Sequence, residues 1–173
     1  MTVGMIFCIL YLIKNTLIHN IYKSKGDFKM SVNLSLKAFV VLLKANKTLE
    51  ELIKKDISSY GMRTSDFTVL EALYHKGQQT IRQISEAVLI NTGSITYVID
   101  KLEKKELLTR TACKDDRRVV YISLTDKGTA LMDDIFPKHQ KVIEEVFEDV
   151  SDEEKEILIN SLKQIGKKAE KLR

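Results

Sequence analysis

Between Thr80 and Thr125 the spacing of apolar residues changes twice, and the changes predict an order of helix, helix, hairpin, helix. Ile81, Ile84 and Val88, with the small Ala87, recur at helical spacing. Thr80 and Gln83 stand ahead of them at the spacing of a capping box. This first segment is short, about two to three turns. Leu89-Ile90-Asn91 reads as a turn, and Asn91 or Thr92 can cap a second helix. There Ile95, Val98, Ile99 and Leu102 fall at i, i+3, i+4 and i+7 and predict one buried stripe. The period then drops to two: Val120, Ile122 and Leu124 alternate with Val119, Tyr121 and Ser123. Residues 107–114 and 118–124 thus predict two strands joined by Asp115-Asp116-Arg117. The order is that of a helix-turn-helix followed by a β-hairpin wing.

Helices flank this unit. Over residues 34–57, Leu36, Phe39, Val40, Leu43, Leu49, Leu52 and Ile53 give a broad apolar face. A second helix starts at Thr64, buries Phe67, Leu70, Leu73 and Tyr74, and stops at Gly77. After the wing, Thr125 caps a long helix carrying Ala130, Leu131, Ile135, Val142, Ile143, Val146 and Phe147. Pro137 lies inside it and predicts a kink or a missing hydrogen bond. Ser151 and Glu154 form another capping box, opening a last helix with Ile157, Leu158, Leu162 and Ile165. The fold class is mainly α: a winged helix-turn-helix with a small β-hairpin wing and N- and C-terminal dimerisation helices. The winged helix occupies residues 60–127, and the dimerisation helices 34–57 and 126–172. Their apolar surface exceeds what a small winged module needs, and a second copy covers it best; covering the chain's own core is the alternative.

The second helix of the motif carries chemistry suited to DNA. Its outward side holds Gly93, Thr96, Tyr97, Asp100, Lys101 and Lys104, and its first turn, Thr92, Gly93, Ser94 and Thr96, is small and hydroxylated. Small residues allow close approach to a duplex, hydroxyls bond phosphates or base edges, and the helix N-terminus favours phosphate. Lys114, Arg117 and Arg118 gather at the hairpin tip, with Arg110 further back. An arginine on a projecting hairpin suits a narrow minor groove. Asp115 and Asp116 suit a polyanion poorly unless one of them orients an arginine. The rival readings are a solvated amphipathic helix with a solvated turn, and a winged helix used for protein docking.

The stretch GSITYVIDKLEKKELLTR, followed by DDRRVVYISLTDKG, resembles the MarR family of bacterial transcription regulators. Family members show a pattern like S-T-V-T-R-L-V-D-R-L-E-x-x-G-L-V, then D-x-R and a strand ending in L-T-x-x-G. Ser94, Ile95, Thr96, Tyr97, Asp100, Lys101, Leu102 and Glu103 align with the first block, and Asp116, Arg117, Arg118, Leu124, Thr125 and Gly128 with the second. The resemblance runs from about Leu34 to the C-terminus. Glu106 stands where the family usually has glycine, which would supply a left-handed helix stop, and Tyr97 replaces a common arginine.

The resemblance implies a homodimer on a palindromic operator in double-stranded DNA. Ser94, Thr96 and Tyr97 would face the major groove, and Arg118 would enter the minor groove with Asp116 orienting it. Thr92, Gly93, Lys101 and Arg117 complete the expected DNA-binding set. It also implies a repressor released by a small phenolic or quinone-like molecule, or by an oxidant. Phe39, Tyr60, Phe67, Tyr74 and His75 are candidates to line an effector crevice. Cys113, beside Lys114 and Arg110, is the redox candidate, since nearby cations lower a thiol pKa; an inert thiol is the alternative. With IFPKH included, the chain most resembles the quinone-responsive branch of the family.

Composition changes the picture at one end. The formal charge is +4, but Lys14, Lys23, Lys25 and Lys29 against Asp27 leave only +1 from Met30 onward. Local placement of Arg and Lys, not bulk charge, therefore argues for DNA. Residues 1–29 hold a short apolar run with no charge pattern of a signal peptide. We expect the physiological start at Met30 and a MarR-type domain over residues 30–173. A membrane-tethered regulator is the alternative, which rests on residues 1–29 alone. Two cysteines fit a reducing cytoplasm. His19, His75 and His139 lie far apart, so neither a metal nor a cofactor is expected. The sequence carries no phosphate-binding glycine loop and no nucleophile elbow, so an enzyme is not expected.

Overall fold

The computed structural model describes residues 33–88, 92–113 and 119–173, for residues 92–94 the backbone only. Residues 1–29, expected to be a leader, and the wing tip with Lys114, Asp115, Asp116, Arg117 and Arg118 lie outside the described residues. The chain divides into two units, residues 1–44 and 45–173.

Helix α1 spans Leu34–Ser59 and crosses from one unit into the other. Asn33 opens it, its Oδ1 accepting from the backbone N–H of Ser35 at 3.0 Å and Leu36 at 3.3 Å. Gly61, at φ 71°, turns the chain toward α2, Thr64–Lys76. Gly77, at φ 69°, ends α2 as expected, its N–H donating to the Leu73 carbonyl at 2.9 Å. The short strand β1, Gln79–Thr80, leads into α3, Ile81–Val88, and α4 follows over Thr92–Lys104. The capping box at α3 is closed: the Thr80 N–H donates to Gln83 Oε1 at 2.8 Å, and the Gln83 N–H to Thr80 Oγ1 at 3.2 Å. Thr92 is already helical in α4, and Asn91, the other expected cap, lies outside the described residues.

The wing strands are β2, Leu108–Ala112, and β3, Val120–Leu124, paired antiparallel with Leu108 opposite Leu124 and Arg110 opposite Ile122. Sequence alternation predicts two strands, whereas among the described residues the sheet has three, in the order β1-β3-β2. Two residues are too few to show a period, and β1 exists because β3 offers a free edge to Gln79 and Thr80. The Gln79 amide adds a bond to the Ala72 carbonyl at 2.9 Å, tying the sheet to α2.

Helix α5, Asp126–Val146, and helix α6, Asp152–Lys171, complete the chain. Helix α5 runs on through Pro137 without interruption. The capping box of α6 is present as the sequence predicts, and its two Ser151 bonds hold the Glu154 carboxyl below the usual carboxylate range.

The core joins the predicted stripe of α4, Ile95, Val98, Ile99 and Leu102, to Phe67, Val69, Leu70 and Leu73 of α2 and Ile84 of α3. Ile57, Leu107, Leu108, Ile122, Met132 and Ile135 close it. Helix α6 buries none of its residues, and Ile157, Leu158, Leu162 and Ile165 are exposed.

Helix α4, the wing and α5 meet at Leu107. The Glu106 N–H bonds to Glu103 and the Leu107 N–H to Leu102, closing α4. Glu106 itself takes φ 60°, the left-handed stop that the family pattern assigns to glycine. The Leu107 carbonyl then accepts from the Thr125 N–H at 3.2 Å, and Thr125 Oγ1 donates to the Glu106 carbonyl at 2.6 Å while accepting from the Gly128 N–H at 3.0 Å. Gly128 lies so close that any Cβ on it would overlap the Leu107 carbonyl oxygen.

Substitutions at this junction should have opposite signs. Gly128→Ala forces α5 away from Leu107 and should lower unfolding free energy by about 2 kcal/mol. Glu106→Gly removes a left-handed non-glycine residue and should raise it by about 0.5–1 kcal/mol, less any loss of the exposed Lys127 pair. Urea unfolding of both variants checks the pair, and a stabilising Gly128→Ala would refute the close-contact account.

Candidate nucleic-acid interface

Helix α4 has two unlike sides. Its stripe is buried, while Thr96 and Tyr97 face solvent, Tyr97 with 64% of its surface exposed. Three residues separate the C-terminal end of the same helix from strand β2, so the wing is joined directly to α4. Of the expected DNA-binding residues, Thr96 and Tyr97 are thus presented outward. Thr92, Gly93 and Ser94 lie in the first turn of α4. Arg117, Arg118 and Asp116 belong to the wing tip outside the described residues.

Lys101 has a different engagement from the outward cation expected. Its Nζ lies 2.5 Å from Asp66 Oδ2 of α2, and the two side chains are 26% and 3% exposed. A carboxylate that deeply buried costs several kcal/mol unless a cation and hydrogen bonds meet it. The sequence holds the signal: Asp66, Leu70 and Leu73 share an i, i+4, i+7 stripe, and an acid inside an apolar stripe calls for a cationic partner. The partner is 35 residues away, and periodicity does not name it.

Arg110 is likewise turned inward. Its guanidinium bridges Asp100 and Glu103 of α4 instead of adding to an outward basic patch. Cys113 is half-buried, its N–H bonded to the Val119 carbonyl at 2.9 Å.

Each of the effector candidates has its own surroundings. Phe39 is exposed on the part of α1 that belongs to the N-terminal unit. Phe67 is core, with its ring edge-on to His139 at 4.8 Å. Tyr74 donates to Asp133 at 2.7 Å, and that bond raises its phenol pKa. His75 stacks edge-on against Phe136 at 4.5 Å and lines an open groove of about 260 Å³ between α2 and α3, with Thr68, Glu71 and Ala87. Tyr60 donates to Asp56 Oδ1 at 2.6 Å, and Asp56 Oδ2 meets His139 Nδ1 at 2.6 Å. This Tyr60–Asp56–His139 chain ties α1 to α5, and sequence reading missed it because its members lie up to 83 positions apart.

Two measurements check these assignments. Lys101→Met leaves Asp66 buried without its cation and should lower stability by about 2–3 kcal/mol, short of the full buried-pair loss because Lys101 is partly solvated. Adding Asp66→Asn should recover part of that loss in urea melts. Burial, then the Asp56 bond and charge, raise the Tyr60 phenol from 10.0 to about 12. The folded state therefore holds that proton more tightly, and its contribution is full below pH 10.0 and lost as pH rises through about 12. Tyr60→Phe should show a shallower alkaline fall in unfolding free energy than the wild type across that window.

The arrangement matches known regulators. The family model described as MarR matches residues 64–120. The chain is 46% identical over 132 residues to the HTH-type transcriptional regulator MhqR of Bacillus subtilis (strain 168), covering 76% of this chain and 91% of the relative. AbsC, a MarR family transcriptional regulator from Streptomyces coelicolor, superposes with a TM-score of 0.73 at 23% identity, covering 83% of this chain and 99% of that one. A mutant MarR from E. coli complexed with operator DNA has a TM-score of 0.66 at 20% identity, over 77% of this chain and 96% of that one. Sequence identity across nine-tenths of a regulator, together with the winged helix around α4, means that this chain belongs to the MarR family of DNA-binding transcription regulators.

Proposed function

We propose that the chain acts as a homodimer on a palindromic operator, with α4 in the major groove and the wing in the adjacent minor groove. The observation that carries the reading is the two-sidedness of α4: a fully buried stripe behind, Thr96 and Tyr97 in front. The E. coli relative complexed with operator DNA supports the same use of the fold. In this reading Ser94, Thr96 and Tyr97 reach base edges, Thr92 and Gly93 admit the backbone, and Arg117 and Arg118 serve the minor groove with Asp116 orienting. Lys101 contributes by fixing α4 on Asp66.

The exposed apolar residues of α6 support the dimer. A helix of 20 residues that buries none of them needs a partner surface. Two reading helices related by a two-fold axis would contact half-sites about 34–36 Å apart, hence a palindrome. The regulator would work in the cytoplasm, where its DNA is. As the resemblance implies, the dimer would repress until a small phenolic or quinone-like molecule, or an oxidant acting at Cys113, releases the DNA. Among the described residues, no helix is long and apolar enough to cross a membrane.

Binding to duplexes selected from a random pool tests the reading. Tyr97→Ala and Thr96→Val should change the ranking among selected duplexes by about 1–3 kcal/mol at individual positions while leaving non-specific affinity nearly intact. Arg118→Ala should weaken binding to all duplexes and reduce the salt slope by about one. Uniform losses from the Tyr97 and Thr96 changes would exclude base reading by α4.

A further inference from the structure

Strand β2 is paired along its length with β3, but its own side chains reach the helices at few points beyond its base. Leu108 is buried, Thr109, Thr111 and Ala112 are exposed, and Arg110 alone among the outer four turns partly inward. Its Nη2 donates to Asp100 Oδ1 and its Nη1 to Glu103 Oε2. Asp100 and Glu103 are three positions apart on α4 and so share a side of that helix. A planar guanidinium can meet both carboxylates at once, whereas a lysine ammonium offers one compact charge. The clamp sits about 7 Å along the strand from Leu108, opposite the buried Ile122, and adds to the sheet pairing a direct tie between β2 and α4.

We propose that Arg110 is a positioning residue: by bridging Asp100 and Glu103 it fixes the angle between the wing and the reading helix, so operator recognition depends on two carboxylates whose charge opposes DNA binding. The inference rests on the DNA-reading geometry proposed above. It separates charge from geometry, because the two make predictions of opposite sign. Removing two carboxylates from a helix that approaches phosphates should, by charge alone, tighten binding to every duplex. Losing the clamp should instead weaken binding to the selected duplex, where α4 and the wing must engage their grooves together, and spare non-specific binding.

The test uses the full chain, a duplex that the wild type selects from a random pool, and poly(dI-dC) as the non-specific duplex, by fluorescence anisotropy across a potassium chloride series. Asp100→Asn with Glu103→Gln keeps side-chain shape. It should bind the selected duplex about tenfold more weakly, the size of one mismatched base pair, while poly(dI-dC) is bound as well as before or better. Arg110→Lys keeps the charge and should show the same selective loss with an unchanged salt slope. Tighter or unaltered binding of the selected duplex by the double variant would overturn the proposal. So would equal losses on both duplexes, or an Arg110→Lys variant that behaves as wild type. A salt slope reduced by about one in Arg110→Met would mark the guanidinium as a phosphate contact and overturn it as well. The double variant retains Arg110, so the test survives if Arg110→Met does not fold. A wild type that selects no sequence would defeat the DNA-reading proposal itself, visibly and before any variant is measured.

Discussion

The carbonyl of Leu107 is the point on which the rest of the molecule is hung. Helix α4 has just ended in a left-handed Glu106, β2 is about to begin, and the start of α5 is pressed against the same peptide. Thr125 serves both sides at once, donating to the Glu106 carbonyl and capping α5 through the Gly128 N–H. Helix α4, the wing and helix α5 therefore meet at one vertex. A Cβ at position 128 would overlap this carbonyl, so any larger residue there must push α5 away. That gives the L-T-x-x-G pattern a physical meaning: Leu124 closes the strand, Thr125 turns the corner, and Gly128 admits the preceding turn. Glu106 accepts a left-handed conformation that costs a non-glycine residue about 1–2 kcal/mol, and its carboxylate meets Lys127 at 3.1 Å.

Charge on the reading helix is largely committed within the protein. Lys101 is held by Asp66, while Asp100 and Glu103 are held by Arg110. The near-neutral balance from Met30 onward therefore does not mean a helix without ions. Those ions orient α4 against α2 on one side and β2 on the other. The outward surface that remains in the second turn is Thr96 and Tyr97, a hydroxyl and a phenol. A helix that commits Asp100, Lys101 and Glu103 to its supports presents neutral hydrogen-bonding groups in that turn, and such groups discriminate by position better than by attraction.

Much of the fold was legible because it is written in short-range rules. The stripe from Ile95 to Leu102, the boxes at Thr80 and Ser151, the Gly77 stop and the alternation in β3 each involve residues within seven positions of one another. What escaped is what joins distant positions. Strand β1 has no period of its own and is defined by the edge of β3. Asp66 with Lys101, Tyr74 with Asp133 and Asp56 with His139 connect helices whose facing is set only after the core has packed. Arg110 was legible as a base near the wing but not as a clamp, since a pattern of charges does not say which way a strand residue turns. For the site, the outward placement of Thr96 and Tyr97 followed from counting at roughly 100° per residue, which needs no tertiary knowledge.

The Tyr60–Asp56–His139 chain bears on how the two ends of the winged domain are linked. Asp56 lies near the end of α1 and His139 in the middle of α5, and each side chain is less than one-tenth exposed. Phe67 of α2 packs edge-on against the same imidazole. One carboxylate therefore joins α1 to α5, and through Phe67 to the helix that also holds Lys101 of the reading helix. A displacement of α5 would reach α4 by two routes: the Leu107 vertex at one end and the His139–Phe67 packing through α2 at the other. Two separated attachments resist rotation in a way that one cannot. The orientation of α4 is thus tied to the packing of α5 at both places.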